Sequence, residues 1–198
     1  MNVSVKVLNG IWDKGFSLDK HKISSTYTGE NQYGHPTFDT LRTDIGEALY
    51  QLKYKSDFSK CDIIASNINN HIIPLLPFVS FIFSMPPSKS RPKQPVIEIG
   101  NSLSKIIGKP CINEILVKSK TTPQMKDITN REDRVNILLD AFVIDIKVVQ
   151  TRLPKEKYNV LIIDDLFDTG TSLEAVTKKL KECGKIGQVL VATVTRTI

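Results

Sequence analysis

Apolar and polar positions alternate along this chain in short blocks, each with its own period. From Thr40, the stretch TLRTDIGEALYQLKYK sets Leu41, Ile45, Leu49 and Leu52 on one helical face, with Thr40 as the expected cap. CDIIASNINNHII predicts a second helix. PFVSFIFSM predicts a buried strand, followed by the loop PPSKSRPKQP. In PVIEIGNSLSKIIG the apolar residues at 96, 99, 103 and 106 predict a helix, and Gly108-Lys109-Pro110 its stop. CINEILVKS predicts a strand, residues 118 to 137 a long polar segment, and AFVIDI another short strand. VLIIDD begins as an all-apolar strand of the kind buried on both faces. SLEAVTKKLKEC is an amphipathic helix ended by Gly184, and QVLVATVTR is a last strand.

Repeated strand-then-helix units joined by short loops predict an α/β fold with a doubly wound, mostly parallel sheet over residues 41–198. Residues 1–40 have a different pattern, with β-like runs (VSVKVL, KISSTY) and turn signals at Asn9-Gly10 and Tyr33-Gly34. They predict a small β-rich N-terminal module, a hood or a satellite. Tyr27, Tyr33, His35, Phe38 and Arg42 cluster around it and read as a packed satellite core.

Composition narrows the class. At 198 residues, 40% apolar and 24% charged, the chain suits one globular domain. The most apolar stretch, HIIPLLPFVSFIFSMPP, is broken by Pro74 and Pro77 and falls short of a membrane span. The start, MNVSVKVLNG, lacks the basic and apolar regions of a secretory signal, so a cytoplasmic location is expected. Cys61, Cys111 and Cys183 are far apart, as are His21, His35 and His71, which argues against a disulfide framework or a zinc site. The net charge of +6 suits an anionic partner, nucleic acid or a polyphosphate metabolite. Lys and Arg are spread without a long run, however, and read first as a solvated surface.

The candidate chemistry lies in NVLIIDDLFDTGTSLEAV. Asp164 and Asp165 end an apolar strand, where open parallel sheets bind ligands. Adjacent carboxylates repel unless a cation or several hydroxyl donors gather there. Asp168-Thr169-Gly170-Thr171-Ser172 then leads into a helix, combining a close backbone approach, hydroxyls and free N–H groups in a cradle for one phosphate. Carboxylates for hydroxyls beside a cradle for phosphate point to a sugar phosphate. The letters DTG also occur in aspartic proteases, but there the motif sits in a hairpin loop and is needed twice. Here a helix follows, and there is no second copy.

VLIIDDLFDTGTS resembles the phosphoribosyl pyrophosphate (PRPP) motif of type I phosphoribosyltransferases. The resemblance implies that Asp164 and Asp165 hold the ribose hydroxyls and, through PRPP, a Mg²⁺ cofactor. It implies that Asp168, Thr169, Gly170, Thr171 and Ser172 hold the 5-phosphate. Asp168 becomes a candidate general base. Ser88, Lys89 and Arg91 in the loop after the first core strand become candidates for pyrophosphate, with Lys93 nearby. Residues 118 to 134 match the position of the family's catalytic lid, with Lys120 and Arg134 as candidate catalytic residues beside Lys118, Lys126 and Arg131. The order LYQLKYKSD, MPPSKSRPKQPV, then Gln124 and Arg134 before Ala141-Phe142-Val143, is similar to ComF-like members of the family, without their four-cysteine zinc module. The implied activity is transfer of a phosphoribosyl group from PRPP to a small nitrogen acceptor, with a homodimer compatible with the family. The alternative is a non-catalytic PRPP- or nucleotide-binding regulator, or a nucleic-acid-associated protein.

Overall fold

The computed structural model describes residues 1–87, 91–120, 122–123, 128–155 and 157–197. The first quarter of the chain forms β1 (Lys6–Val7), β2 (Lys14–Lys20), β3 (Lys22–Glu30), β4 (Pro36–Arg42) and α1 (Asp44–Tyr54). Next come α2 (Lys60–His71), β5 (Phe81–Ser84), α3 (Pro95–Ile107) and β6 (Leu116–Lys118). The remainder is α4 (Arg131–Ala141), β7 (Phe142–Ile144), α5 (Ile146–Arg152), β8 (Tyr158–Phe167), α6 (Thr171–Glu182) and β9 (Ile186–Arg196).

Five strands make the central sheet, in the order β1-β2-β9-β8-β5. β2, β9, β8 and β5 run parallel, and β1 is antiparallel at the edge. Helices cover both faces. Val160 and Ile162 of β8 pack with Leu138 of α4 and with Leu173, Val176 and Leu180 of α6. Leu161 and Ile163 pack on the other side with Ile45 and Leu49 of α1, Ile64 and Ile68 of α2, and Ile99 and Leu103 of α3. A strand covered on both faces must be apolar at every position, which is why VLII is an unbroken run. Burying each such Leu or Ile contributes roughly 1.5–3 kcal/mol, so both helical layers are needed to hold the sheet. The fold is therefore α/β, doubly wound and mostly parallel.

Four local features differ from the sequence reading. Residues 6–20, assigned above to the N-terminal module, lie in the central sheet, with β2 between β1 and β9. Its alternation of Ser17 and Asp19 with Phe16 and Leu18 resembles a surface strand, yet Ser17 and Asp19 are buried. What stands apart is the β3–β4 hairpin, a separate two-stranded ribbon turned at Gly34 (φ +72°). Its Tyr27 and Phe38 rings meet edge-on at 5.7 Å but stay 56% and 55% exposed, so they form no satellite core. A lone ribbon has no second layer to bury its faces.

Second, α1 is capped by Thr43 instead of Thr40, and Leu41 lies exposed in β4. The Thr43 hydroxyl accepts from Gly46 N–H at 3.1 Å and donates to the Lys20 carbonyl at 2.7 Å, tying α1 to the end of β2. Third, the polar segment gives way at residue 131 to α4, capped by Asn130, whose side chain accepts from Glu132 N–H at 2.8 Å. The charged first turn, REDR, masks the buried Val135 and Leu138 that follow. Fourth, AFVIDI supplies β7, which pairs antiparallel with β6 in its own ribbon outside the central sheet. Asp145 ends it by capping α5. Among the described residues, no helix is long and apolar enough to cross a membrane.

Candidate active site

β5 stops at Ser84, opposite Ile163, and the Met85 N–H donates to the Ile163 carbonyl at 2.9 Å. Asp164 and Asp165 are thus the first residues of β8 with no β5 neighbour, while β9 continues beside them as far as Phe167↔Arg196. One flank of the strand is open where the acids sit, in the crevice at the carboxyl ends of the strands. Successive side chains of a strand face opposite ways, so the two acids serve different sides.

Asp164 faces a cavity of about 220 Å³ shared with Arg134, Phe167 and the loop Asp168–Ser172. Gly170 turns this loop with φ +75° and ψ 1° as the residue before α6. A Cβ there would lie 3.0 Å from the Phe167 ring, which packs edge-on against Trp12 at 6.1 Å. Glycine is required both by the left-handed backbone and by this close approach. The hydroxyls of Thr169 and Thr171 lie 3.2 Å apart at the mouth of α6. Backbone N–H groups at such a helix start, together with two hydroxyls and Arg134, suit an anion. Arg134 is steadied by donating Nε–H to the Ile128 carbonyl at 2.6 Å. Asp168 is exposed and accepts from the Thr197 hydroxyl at 3.1 Å.

Asp165 faces the α1 side. Lys53 Nζ lies 2.6 Å from its Oδ2, and both side chains are about four-fifths buried, at 22% and 20% exposure. Arg91 donates Nη1–H to the Lys53 carbonyl at 3.4 Å. Lys53, Arg91, Asp165, Met85 and Pro87 line a second, smaller cavity of about 80 Å³. Behind Asp165, the Thr195 hydroxyl donates to the Asp165 carbonyl at 3.1 Å and lies 3.3 Å from His21 Nδ1. Burial, and then the charges of Arg42, Lys22 and Lys53, hold the His21 imidazole below its ordinary value. Burial first, and the adjacent Asp165 charge second, push the Asp164 carboxyl up to about 8. The Asp165 N–H donated to Asp164 at 2.8 Å and the Lys53 charge act the other way without cancelling this. The two acids are therefore electrostatically unlike, one paired with a cation and the other reluctant to ionise.

The structure gathers Asp164, Arg134 and residues 168–172 in one cavity, and Asp165 and Arg91 in another. Lys120 sits apart from both, exposed beside Lys118 in a cleft of about 530 Å³ that shares its Met85 and Pro87 wall with the smaller cavity. Ser88, Lys89, Gln124 and Lys126 lie outside the described residues. Sequence reasoning did not single out His21 or Trp12, and it noted Lys53 only within the stretch LYQLKYKSD, without a site role. Lys53 did leave a trace, because it follows Leu52 and lies one turn beyond Leu49, at the seam of the buried face of α1, where a long cation reaches over a core edge. For a Mg²⁺ ion the fit is partial. Among the described residues no three His, Cys, Asp or Glu side chains are grouped for a metal, and one of the two acids already holds Lys53. Such an ion would take most of its oxygen ligands from a bound phosphate and sugar.

No protein-family model and no curated protein sequence matches the chain. Among solved structures, adenine phosphoribosyltransferase from Leishmania tarentolae aligns over 96% of this chain and 94% of its own, with 9% identity and a TM-score of 0.49. The Trypanosoma brucei enzyme, solved with AMP, pyrophosphate and ribose-5-phosphate, aligns over 97% of this chain and 86% of its own, with 11% identity and a TM-score of 0.48. The Saccharomyces cerevisiae enzyme gives 15% identity and 0.45 over 88% and 84%. Scores and identities this low carry no residue's role from one chain to the other.

Proposed function

We propose that the chain is a phosphoribosyltransferase that binds PRPP and transfers its phosphoribosyl group to a small nitrogen acceptor, releasing pyrophosphate. One juxtaposition carries this reading: Asp164 shares a cavity with the left-handed turn at Gly170 and the start of α6. A ribose 5-phosphate joins a hydroxyl-bearing ring to a phosphate, and this site offers a carboxyl group for the first beside an N–H and hydroxyl cradle for the second. Asp164 and Asp165 would accept the ribose 2- and 3-hydroxyls. Residues 168–172 would hold the 5-phosphate, and Arg91 would face the pyrophosphate, together with Ser88 and Lys89.

In the reaction the acceptor nitrogen bonds to C1 as the C1–oxygen bond to pyrophosphate breaks, and the electron pair leaves with the pyrophosphate. Positive charge builds on the sugar ring and negative charge on the leaving group, so the protein acts mainly by positioning and by electrostatic stabilisation. A Mg²⁺ ion carried by PRPP would neutralise part of the pyrophosphate charge. Arg134, at the start of the helix bordering the phosphate cavity, would place positive charge at its rim. Lys120 would reach the site only if the segment from 118 moves over it. Asp168 would take the acceptor proton. The β3–β4 hairpin, rising from the end of β2 on the ligand side of the sheet, would form the hood over the acceptor. Kinship to ComF-like proteins is part of the same proposal, supported by Lys53-Tyr54 on α1 and by Arg134 before the Phe142–Ile144 strand.

The deciding experiment is calorimetric titration of PRPP with Mg²⁺ into the wild type and an Asp164→Asn/Asp165→Asn variant, followed by a screen of nitrogen bases for pyrophosphate release. Binding by the wild type and its loss in the variant are expected. A folded wild type that ignores PRPP would refute the proposal, and binding without turnover on any base would favour a regulator.

A further inference from the structure

We propose that Lys53 is a working part of this site: it neutralises Asp165 while the site is empty, and transfers its charge to the pyrophosphate of the donor once the ribose occupies Asp165. The inference rests on the function proposed above and gives a role to a residue outside the strand–loop–helix motif of β8 and α6.

Three observations converge on Lys53. Its ammonium is 2.6 Å from Asp165 Oδ2, so the acid expected to bind ribose hydroxyls is already engaged. The pair is about four-fifths buried, where separating the charges without a replacement partner is expensive. The cavity beside it, about 80 Å³, is walled by Lys53, Arg91 and Asp165 together. Two cations and one acid thus share the lining of this cavity, and Asp165 is the one acid among its described lining residues.

A neutral ribose hydroxyl donated to Asp165 competes for the oxygen that Lys53 holds and brings no charge for Lys53. The ammonium would then lack a close anion in a partly desolvated place. A diphosphate on C1 of the same ribose would supply one, at the end of the cavity where Arg91 already stands. Partner exchange keeps Lys53 paired throughout, so the ribose and the pyrophosphate bind cooperatively. The Arg91 guanidinium reaches the same residue, donating Nη1–H to the Lys53 carbonyl at 3.4 Å, which holds both cations together at this cavity. The Lys53 position depends on α1 being fixed at its other end, where Thr43 is bonded to Lys20 and Gly46 leaves no room for a side chain beside the His21 carbonyl.

The test compares ribose 5-phosphate, pyrophosphate with Mg²⁺, and PRPP with Mg²⁺ as calorimetric ligands for wild type, Lys53→Met and Lys53→Arg. Loss of a charge-assisted contact should weaken PRPP and pyrophosphate roughly ten- to a hundredfold in Lys53→Met. Ribose 5-phosphate should bind as tightly as to wild type, or more tightly, since its competitor for Asp165 is gone. Lys53→Arg should recover most of the PRPP affinity. Equal weakening of all three ligands would reduce Lys53 to a structural residue and overturn the proposal, as would no change in any. If the wild type binds neither ribose 5-phosphate nor PRPP, the reading of the site itself fails.

A second measurement needs no variant. Amine-reactive labelling of the wild type, mapped to Lys53 by mass spectrometry, should be slow in the empty protein, faster with ribose 5-phosphate and slow again with PRPP. Labelling that ignores the ligand would overturn the exchange.

Discussion

Gly170→Ala tests the phosphate loop at its narrowest point. Two costs add at this position. An L-residue with φ +75° pays roughly 1–2 kcal/mol for the left-handed backbone. The new Cβ would also lie 3.0 and 3.3 Å from two Phe167 ring carbons and 3.5 Å from Trp12. Phe167 cannot move freely, because its ring is held edge-on against Trp12, which donates Nε1–H to the Leu8 carbonyl at 2.8 Å. Overpacking of this kind adds about 1 kcal/mol or more. The expected total is about 2–3 kcal/mol, with weaker binding of any phosphate ligand because the loop cannot keep its turn. Gly108 (φ +63°) and Gly184 (φ +67°) are the controls, since a Cβ at either would meet nothing within 4 Å. Their alanine variants should carry the backbone cost alone, about 1 kcal/mol, and leave ligand affinity unchanged. Urea denaturation followed by the fluorescence of Trp12, the single tryptophan, reads both stability and the neighbourhood of the loop. Equal losses at all three glycines, with phosphate binding intact in Gly170→Ala, would refute the role assigned to the close contact with Phe167.

The same geometry sets the outcome of other perturbations. The Asp164 carboxyl is raised in the fold from its usual 3.8 to about 8, so the empty native state holds a proton that the unfolded chain releases, and stability should fall as pH rises from about 4 to 8. Between pH 5 and 9 the wild type should therefore lose at least about 1 kcal/mol relative to Asp164→Asn, by urea midpoints; parallel pH profiles would contradict this. Gly46→Ala would put a Cβ 2.3 Å from the His21 carbonyl oxygen, a backbone atom that cannot rotate away, so α1 must shift. A loss of about 1–3 kcal/mol is expected, with weaker PRPP binding by calorimetry as Lys53 moves with its helix. Leu161→Ala, in the fully buried centre of β8, should cost about 2–5 kcal/mol in denaturant and leave residual ligand affinity unchanged while folded.

Much of the architecture was legible because its signals are local. The apolar run VLII is written by burial on both faces, and the spacing of residues 96, 99 and 103 by the buried side of α3. α6 announces itself through Leu173, Val176 and Leu180, and Gly184 and Gly108 mark helix ends by their left-handed backbone. β2 was harder to place, because its Ser17 and Asp19 look like surface residues and only the neighbouring β9 shows that they are buried. α4 hid behind a first turn of charges. The ribbon residues Tyr27 and Phe38 pointed to a core that a two-stranded hairpin cannot build.

By itself, then, the sequence determined most of the strands and helices of the central sheet and its layers, though not α4 or α5, and that two acids precede a glycine-turned loop. Spacing along one segment reports on the one or two neighbours it must bury. Tertiary structure alone decided that β5 ends at Ser84, which leaves Asp164 and Asp165 open on one flank. It also sent those acids to opposite faces, one toward Arg134 and the Gly170 turn, the other to Lys53, more than a hundred residues away along the chain. No local pattern encodes such a pairing, because it depends on how α1 docks across the end of the sheet. That docking arises from the summed packing of Ile45, Leu49 and Leu52 against strands far away in the chain.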